Sequence, residues 1–250
     1  MQRDALVIYL DDYLGCRGAA DYSDNGLQVE GRDDVARLAF AVDACQETIE
    51  GAVTAGAQML IVHHGLFWGK VLPVVGPHRR RLQTLLNGGC SLYAAHLPLD
   101  RHPEVGNNAQ LARLLGLTVT GGLGEAFGLP VGVVATAQSP EPRAALVARL
   151  TASLGVTPLV LPGGPEQVQR IGIISGGAAR DVAAAAAAGC DTYITGETSH
   201  SSYHDAAEYG VNAIYAGHYA TETVGLKALA AHLITRYNLP FTFIDRPTGL

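Results

Sequence analysis

Nine histidines stand against seventeen lysines and arginines in this chain, and several fall where metal chemistry is done. His63 and His64 are adjacent and precede Gly65. On an extended strand, neighbouring side chains point to opposite faces, so the pair could serve two ions. A bend at the glycine could instead turn both toward one. Asp100 follows His96 by four residues, with Pro98 between them stiffening what reads as a loop. Glu222 follows His218 by four. If residues 218–222 open a helix, that imidazole and carboxylate share a face, and the two oxygens of a glutamate can bridge two ions. Singly, each feature has a plainer reading as a surface pair, a core histidine beside a turn cap, or a solvated helix start. Together, His63, His64, Asp100, His218 and Glu222, with His96 nearby, exceed what one tetrahedral ion with an open position takes. They suit two ions ~3.5–4 Å apart, the arrangement of hydrolytic two-metal sites. Nitrogen and oxygen donors without thiolate favour Zn, Fe, Mn, Co or Ni over Ca or Mg.

The elements that must hold these residues alternate along the chain. Apolar runs predict strands at 38–42, 59–62, 91–95, 129–135, 158–161, 171–175, 192–195, 212–216 and 241–244. Helical patterns occupy 3–14, 46–55, 79–87, 107–115, 143–154, 178–188, 201–209 and 223–237, while 121–128 reads as loop or irregular edge and 161–167 as a turn or linker. Near-continuous apolar strands joined by single helices predict an α/β fold of two lobes, with parallel or mixed sheets flanked by helices. The two α/β stretches could be separate lobes, or the chain ends could join around a middle insertion. The division adopted is 1–118 plus about 217–250 for the metal-binding lobe and about 119–216 for the second. Ligands in open α/β sheets bind beyond the carboxyl ends of strands. Those ends are followed here by Asp43, by His63-His64, by His96 and Asp100, by Ser175-Gly176-Gly177, by Glu197 with His200 and His204, and by His218 with Glu222.

Composition removes several classes. The 250 residues are 48% hydrophobic and 16% charged, with a net charge of −6. No apolar run reaches the ~18 residues of a membrane span. Acids inside the first apolar stretch argue against a secretory leader. The acidic balance argues against a nonspecific grip on nucleic acid. Cys16, Cys45, Cys90 and Cys190 are scattered singly, which disfavours disulfides and thiolate zinc and makes the cytoplasm the expected compartment. The alanine-rich 178–189 reads as a helix packed closely on a sheet. Ser175-Gly176-Gly177 could offer backbone N–H groups to a phosphate but lacks the lysine and spacing of a P-loop. Arg79-Arg80-Arg81 reads as a solvated helix face that could also lend charge to a phosphate-bearing ligand.

Five segments in order, SDNGLQVEG (23–31), VHHGLFW (62–68), AAHLPLDRHPEVGNN (94–108), TGETSHSSYHDA (195–206) and AGHYATET (216–223), resemble the GTP cyclohydrolase 1 type 2 homologs, the NGG-one-interacting factor three family. The resemblance spans nearly the whole chain. It implies a two-lobed α/β protein assembled as a toroidal homohexamer, with a dinuclear metal site facing an internal cavity. By motif, the ligands fall on His63, His64, Asp100, His218 and Glu222, with Glu222 as bridge. His96 is a further ligand or a group beside the metals, and Asn25 and Gln28 line the site as hydrogen-bonding groups. His96, His204 or Glu197 would move protons. The implied activity is hydrolysis of a nucleotide-like substrate by metal-activated water. The alternative is a metal carrier or scaffold without turnover. Partners are then the chain itself and a small molecule, with no membrane and no nucleic acid.

Overall fold

The computed structural model describes residues 1–250. In chain order the elements are α1 (Arg3–Leu14), β1 (Gly26–Val29), β2 (Leu38–Asp43), α2 (Gln46–Thr54), β3 (Met59–His64), α3 (Gly76–Gly88), β4 (Ser91–Ala94), α4 (Leu97–Arg101), α5 (Asn107–Leu114), β5 (Thr118–Leu123), β6 (Gly132–Pro142), α6 (Arg143–Leu154), β7 (Leu159–Pro162), β8 (Gln167–Ile173), α7 (Val182–Ala187), β9 (Thr192–Thr195), α8 (Ser202–Glu208), β10 (Asn212–Tyr215), α9 (His218–Tyr237) and β11 (Phe241–Phe243). The chain divides into two compact units, Met1–Val105 with Leu226–Arg246, and Gly106–Gly225 with Pro247–Leu250.

In the first unit the sheet order is β1-β4-β3-β2-β11. Strands β4, β3, β2 and β11 run parallel, and β1 adds an antiparallel edge. Burial explains the apolar runs: Leu38–Ala41 and Met59–Val62 are completely covered, as parallel strands with helices on their faces must be. Ile49 and Ala52 of α2 and Leu85 of α3 pack against Leu60, Val62, Leu92 and Ala94. Helix α3 begins at Gly76, three residues before the predicted start. Pro77 occupies its first turn, where a missing N–H costs nothing, and Gly89 in the left-handed region closes it.

In the second unit the order is β5-β6-β8-β9-β10-β7. Only β8, β9 and β10 are mutually parallel; β5, β6 and β7 join antiparallel. The predicted loop at 121–128 is partly strand. Gly121 and Gly122 pair with Val134 and Val133 past a bulge in β5, and a side chain at Gly122 would strike the Pro130 ring at 2.6 Å. Gly122, needed for that close approach, thus reads as loop. The predicted helix 178–188 starts as a single 3₁₀ turn, Ala179–Asp181, closed by the Asp181 N–H on the Ala178 carbonyl three residues back. No helix is long and apolar enough to cross a membrane.

Candidate metal centre

In the first unit, parallel register does much of the positioning. Asp43 at the end of β2 is paired with His64 at the end of β3, so its Oδ1 lies 2.8 Å from His64 Nδ1. His63, with no exposed surface, places Nδ1 2.9 Å from the carbonyl oxygen of Ala95, just past β4. His96 Nδ1 lies 2.7 Å from Asp21 Oδ1. Each imidazole therefore carries its Nδ1 proton toward a backbone carbonyl or carboxylate and directs the Nε2 lone pair the other way, the tautomer that metal-ligating histidines use. The rings converge: centroids of His63 and His64 are 4.7 Å apart, and His96 lies 5.1 Å and 5.7 Å from them. One ligand atom from each falls within 4.8 Å of the others. The adjacent pair thus meets in one group.

Asp100 is buried on α4, its Oδ2 3.5 Å from His63 Nε2. The segment predicted as a loop is this short helix, with Pro98 in its first turn, where proline is tolerated.

Asn25 and Gln28 act on backbone. Asn25 Oδ1 accepts the His96 N–H at 2.8 Å, and its amide donates to Asp21 Oδ2. Gln28 Oε1 accepts the Leu66 N–H while Nε2 donates to the Asp24 carbonyl. A Cβ at Gly65 would overlap the Gln28 amide, so the turn after the histidine pair requires glycine for close approach. Trp68 closes one side, its ring 5.2 Å from His96 and 5.8 Å from His64.

Asp21 was not legible as a site residue. It also accepts the N–H groups of Leu97, Tyr22 and Ser23. Burial pushes its carboxyl up, but hydrogen bonds from His96 and Asn25 outweigh that and bring it down to about 2. Asp21→Asn is expected to weaken metal binding 10–100-fold, the usual effect of losing an orienting carboxylate. An amide there faces donors on both sides, so its NH2 meets either Leu97 and Asn25 or His96, Tyr22 and Ser23. Metal titration of wild type and variant checks this; equal affinities would refute it.

In the second unit, α9 starts at His218, five residues before the predicted 223, because Gly217 at φ +87° turns the chain directly from β10 into the helix. His218 and Glu222 then stand at i and i+4, with Nε2 3.1 Å from Oε1. His218 Nδ1 lies 2.5 Å from Glu197 Oε1. Burial lowers the imidazole pKa, but Glu222 and then Glu197 overcome it and raise it to about 9.

Ser175-Gly176-Gly177 forms a cradle for this pair. The N–H groups of Ser175 and Gly176 go to Asn108 Oδ1 and Thr221 Oγ1, so neither is presented to a phosphate. The Gly176 carbonyl takes N–H groups of Gly196 and Glu197 and the Thr195 hydroxyl. His204 is elsewhere on α8, edge-on to Tyr203. With His200, Thr198, Leu159 and Leu161 they line a cavity of about 420 Å³. No hydrogen bond joins His204 to Glu197, His218 or Glu222.

Two mixed α/β sheets whose strand ends carry oriented imidazoles and carboxylates define an α/β protein with candidate His/Glu metal-binding groups. The Duf34/NIF3 (NGG1p interacting factor 3) family matches residues 1–248, and the chain belongs to that family. It is 45% identical over 248 residues to a Deinococcus radiodurans protein named GTP cyclohydrolase 1 type 2 homolog, covering 99% of this chain and 94% of that one. A crystal structure from Thermus thermophilus superposes with TM-score 0.89 at 46% identity, and a solved structure of protein ybgI, described as of unknown function, with TM-score 0.93 at 41%; both matches cover 100% of each chain.

Proposed function

We propose that the protein is a metal-dependent hydrolase of a nucleotide-like small molecule, holding two divalent ions (Zn, Fe, Mn, Co or Ni) through His63, His64, Asp100, His218 and Glu222, with His96 beside them. The observation that carries this reading is the orientation of His63, His64, His96 and His218, whose Nδ1 atoms are engaged by Ala95, Asp43, Asp21 and Glu197. Metal-ligating histidines almost always give their other ring N–H to a carboxylate, a backbone carbonyl or water, and all four imidazoles are engaged in that way. The donor set, imidazoles with carboxylates and no thiolate, fits the ions named.

When bound, such ions supply Lewis acidity and bring water toward a pKa of ~7. The chain supplies the rest. Asp21 and Asp43 hold two imidazoles in place. Glu197, half exposed at the surface, accepts the His218 Nδ1 proton and is placed to pass a proton to solvent. His96 is the corresponding proton-handling group in the first unit, and His204, which lines the α8 cavity, is the third group assigned to proton movement. The names of relatives such as the Deinococcus radiodurans protein support a nucleotide-like substrate. Assembly as a ring-shaped homohexamer belongs to the same reading and rests on the family resemblance.

The test is elemental analysis of protein purified without added metal, followed by a hydrolysis screen of purine nucleotides and phosphoesters with and without chelator. About two equivalents of metal per chain are expected, with turnover abolished by chelator and by Glu222→Gln. Turnover that persists in metal-free Glu222→Gln protein would sink the proposal. A metal-loaded protein inert toward every substrate would point to the carrier role.

A further inference from the structure

Residues 177–181 and 197–199 of the second unit line a cavity of about 300 Å³. It lies beside His218. Glu197, one of its walls, holds His218 Nδ1 at 2.5 Å, and a Cβ at Gly177, another wall, would stand 3.4 Å from Glu197 Oε2 and 3.7 Å from His218 Cε1. The α8 cavity of about 420 Å³ shares Thr198 and Ser199 with it, so the two adjoin. Both volumes fall in the ~300–1,000 Å³ range of small-molecule sites. Asp181 is the unusual group in the smaller one. Its side chain is half-buried, and burial pushes its carboxyl up with no hydrogen bond or cation pulling it back. A Cβ at Gly124 would stand 3.4 Å from its Oδ1, among Ile174 and Val131. The Tyr193 hydroxyl donates to the Ala178 carbonyl and not to it. A carboxylate withdrawn from water without a partner costs stability, and such groups gather where a ligand is to be met.

We infer that the two adjoining cavities bind a small molecule with an amidine or amino-substituted N-heterocyclic head, whose N–H groups donate to Asp181 and whose apolar remainder packs on Leu159, Leu161 and Tyr203. This rests on the hydrolase reading for its place beside His218, and it says by which head the substrate is held there. An ionised carboxylate only accepts hydrogen bonds, and two parallel N–H groups match its two oxygens. The smaller cavity sets Asp181 and Glu197 against a single cation, Arg180. That balance disfavours a phosphoryl group beside His218 and favours a donor. The larger cavity supplies the apolar wall from Leu159, Leu161 and Tyr203, with His200 and His204 at its polar positions. An apolar pocket with a few placed polar groups is the usual form of a small-molecule site. Asp181 is thus the anchor of the ligand, and its stability cost is offset only when the ligand's N–H groups arrive.

The experiment is calorimetric titration of benzamidine, a planar ring carrying an amidinium, into wild type, Asp181→Asn and Tyr203→Ala protein, each with and without chelator. Phenyl phosphate is the probe of opposite charge. Benzamidine should bind wild type, and Asp181→Asn should weaken it about tenfold or more, the usual loss of a hydrogen bond to a charged group. Tyr203 is exposed, so Tyr203→Ala should keep its fold and show a smaller loss. The free Asp181→Asn protein should melt at or above the wild-type temperature, because the amide removes a charge that burial disfavours. Equal benzamidine affinity in wild type and either variant overturns the inference. A lower melting temperature for Asp181→Asn makes the carboxylate part of the fold and overturns it too. So does phenyl phosphate binding more tightly than benzamidine in chelator. Asp181-dependent binding in protein that takes up no metal keeps this site and removes the hydrolase reading. Metal-dependent turnover without Asp181-dependent binding removes the site and leaves the hydrolase reading.

Discussion

His63→Ala should strip metal from the first unit, lowering affinity more than 100-fold, beyond the 10–100-fold typical of an orienting residue, and turnover should fall with it. His63 has no exposed surface and stands between the Ala95 carbonyl and the Asp100 carboxylate. Removing the ring deletes one donor and leaves the Asp100 carboxylate and the Ala95 carbonyl facing an empty volume. The stability cost of leaving these polar groups poorly satisfied is about 1–3 kcal/mol. His63→Gln fills more of the volume without reproducing the imidazole, so it separates packing from ligation. Both variants should lose metal, and His63→Gln should recover part of the stability. Metal-to-protein ratios after gel filtration, read beside thermal unfolding, give the answer. Wild-type metal content in His63→Ala would exclude it as a ligand.

Gly176→Ala should damage fold and site at once. Gly176 sits at φ +68°, where an L side chain is strained by about 1–2 kcal/mol. A Cβ there would overlap Glu222 Oε1 and come within 3.3 Å of His218 Nε2. Glu222 is only 3% exposed and has little room to retreat, so overpacking adds about 1–3 kcal/mol. Destabilisation of about 3 kcal/mol is expected, with loss of metal binding even in the fraction that folds. A variant within about 0.5 kcal/mol of wild type, with metal intact, would contradict the cradle described for this loop.

Much of this was legible because strand ends are legible. The runs LAFAV and MLIV announce buried parallel strands, and topology alone opens the residues just beyond them to a ligand. His63, His64, His96, His218 and Glu222 could be singled out on that basis. Asp21 could not. Its partner His96 lies 75 positions away, and nothing local distinguishes Asp21 from an ordinary loop acid. Asp43 was visible as a strand-end acid, but its bond to His64 depends on the register between β2 and β3. Gly176 was read for the N–H groups it might offer, whereas its role is the side chain it lacks. Glycine content also hid β5, and Pro98 hid α4. In each case a residue disfavoured by average propensity was admitted by one specific neighbour or helix position.

The way the two units divide the chain has a consequence for biosynthesis. The second is almost continuous, Gly106–Gly225, while the first is assembled from Met1–Val105 and Leu226–Arg246. Its sheet ends in β11, which pairs Phe241 with Leu38. As the chain leaves the ribosome, residues 38–43 emerge long before their neighbour exists. The apolar edge of β2 must wait while the intervening segment is made and folds as a unit. Nascent chains cut short before Phe241 would carry that edge open, a template for mispairing with other chains. Premature termination near the end of this message should therefore yield aggregates, not a protein with a trimmed tail.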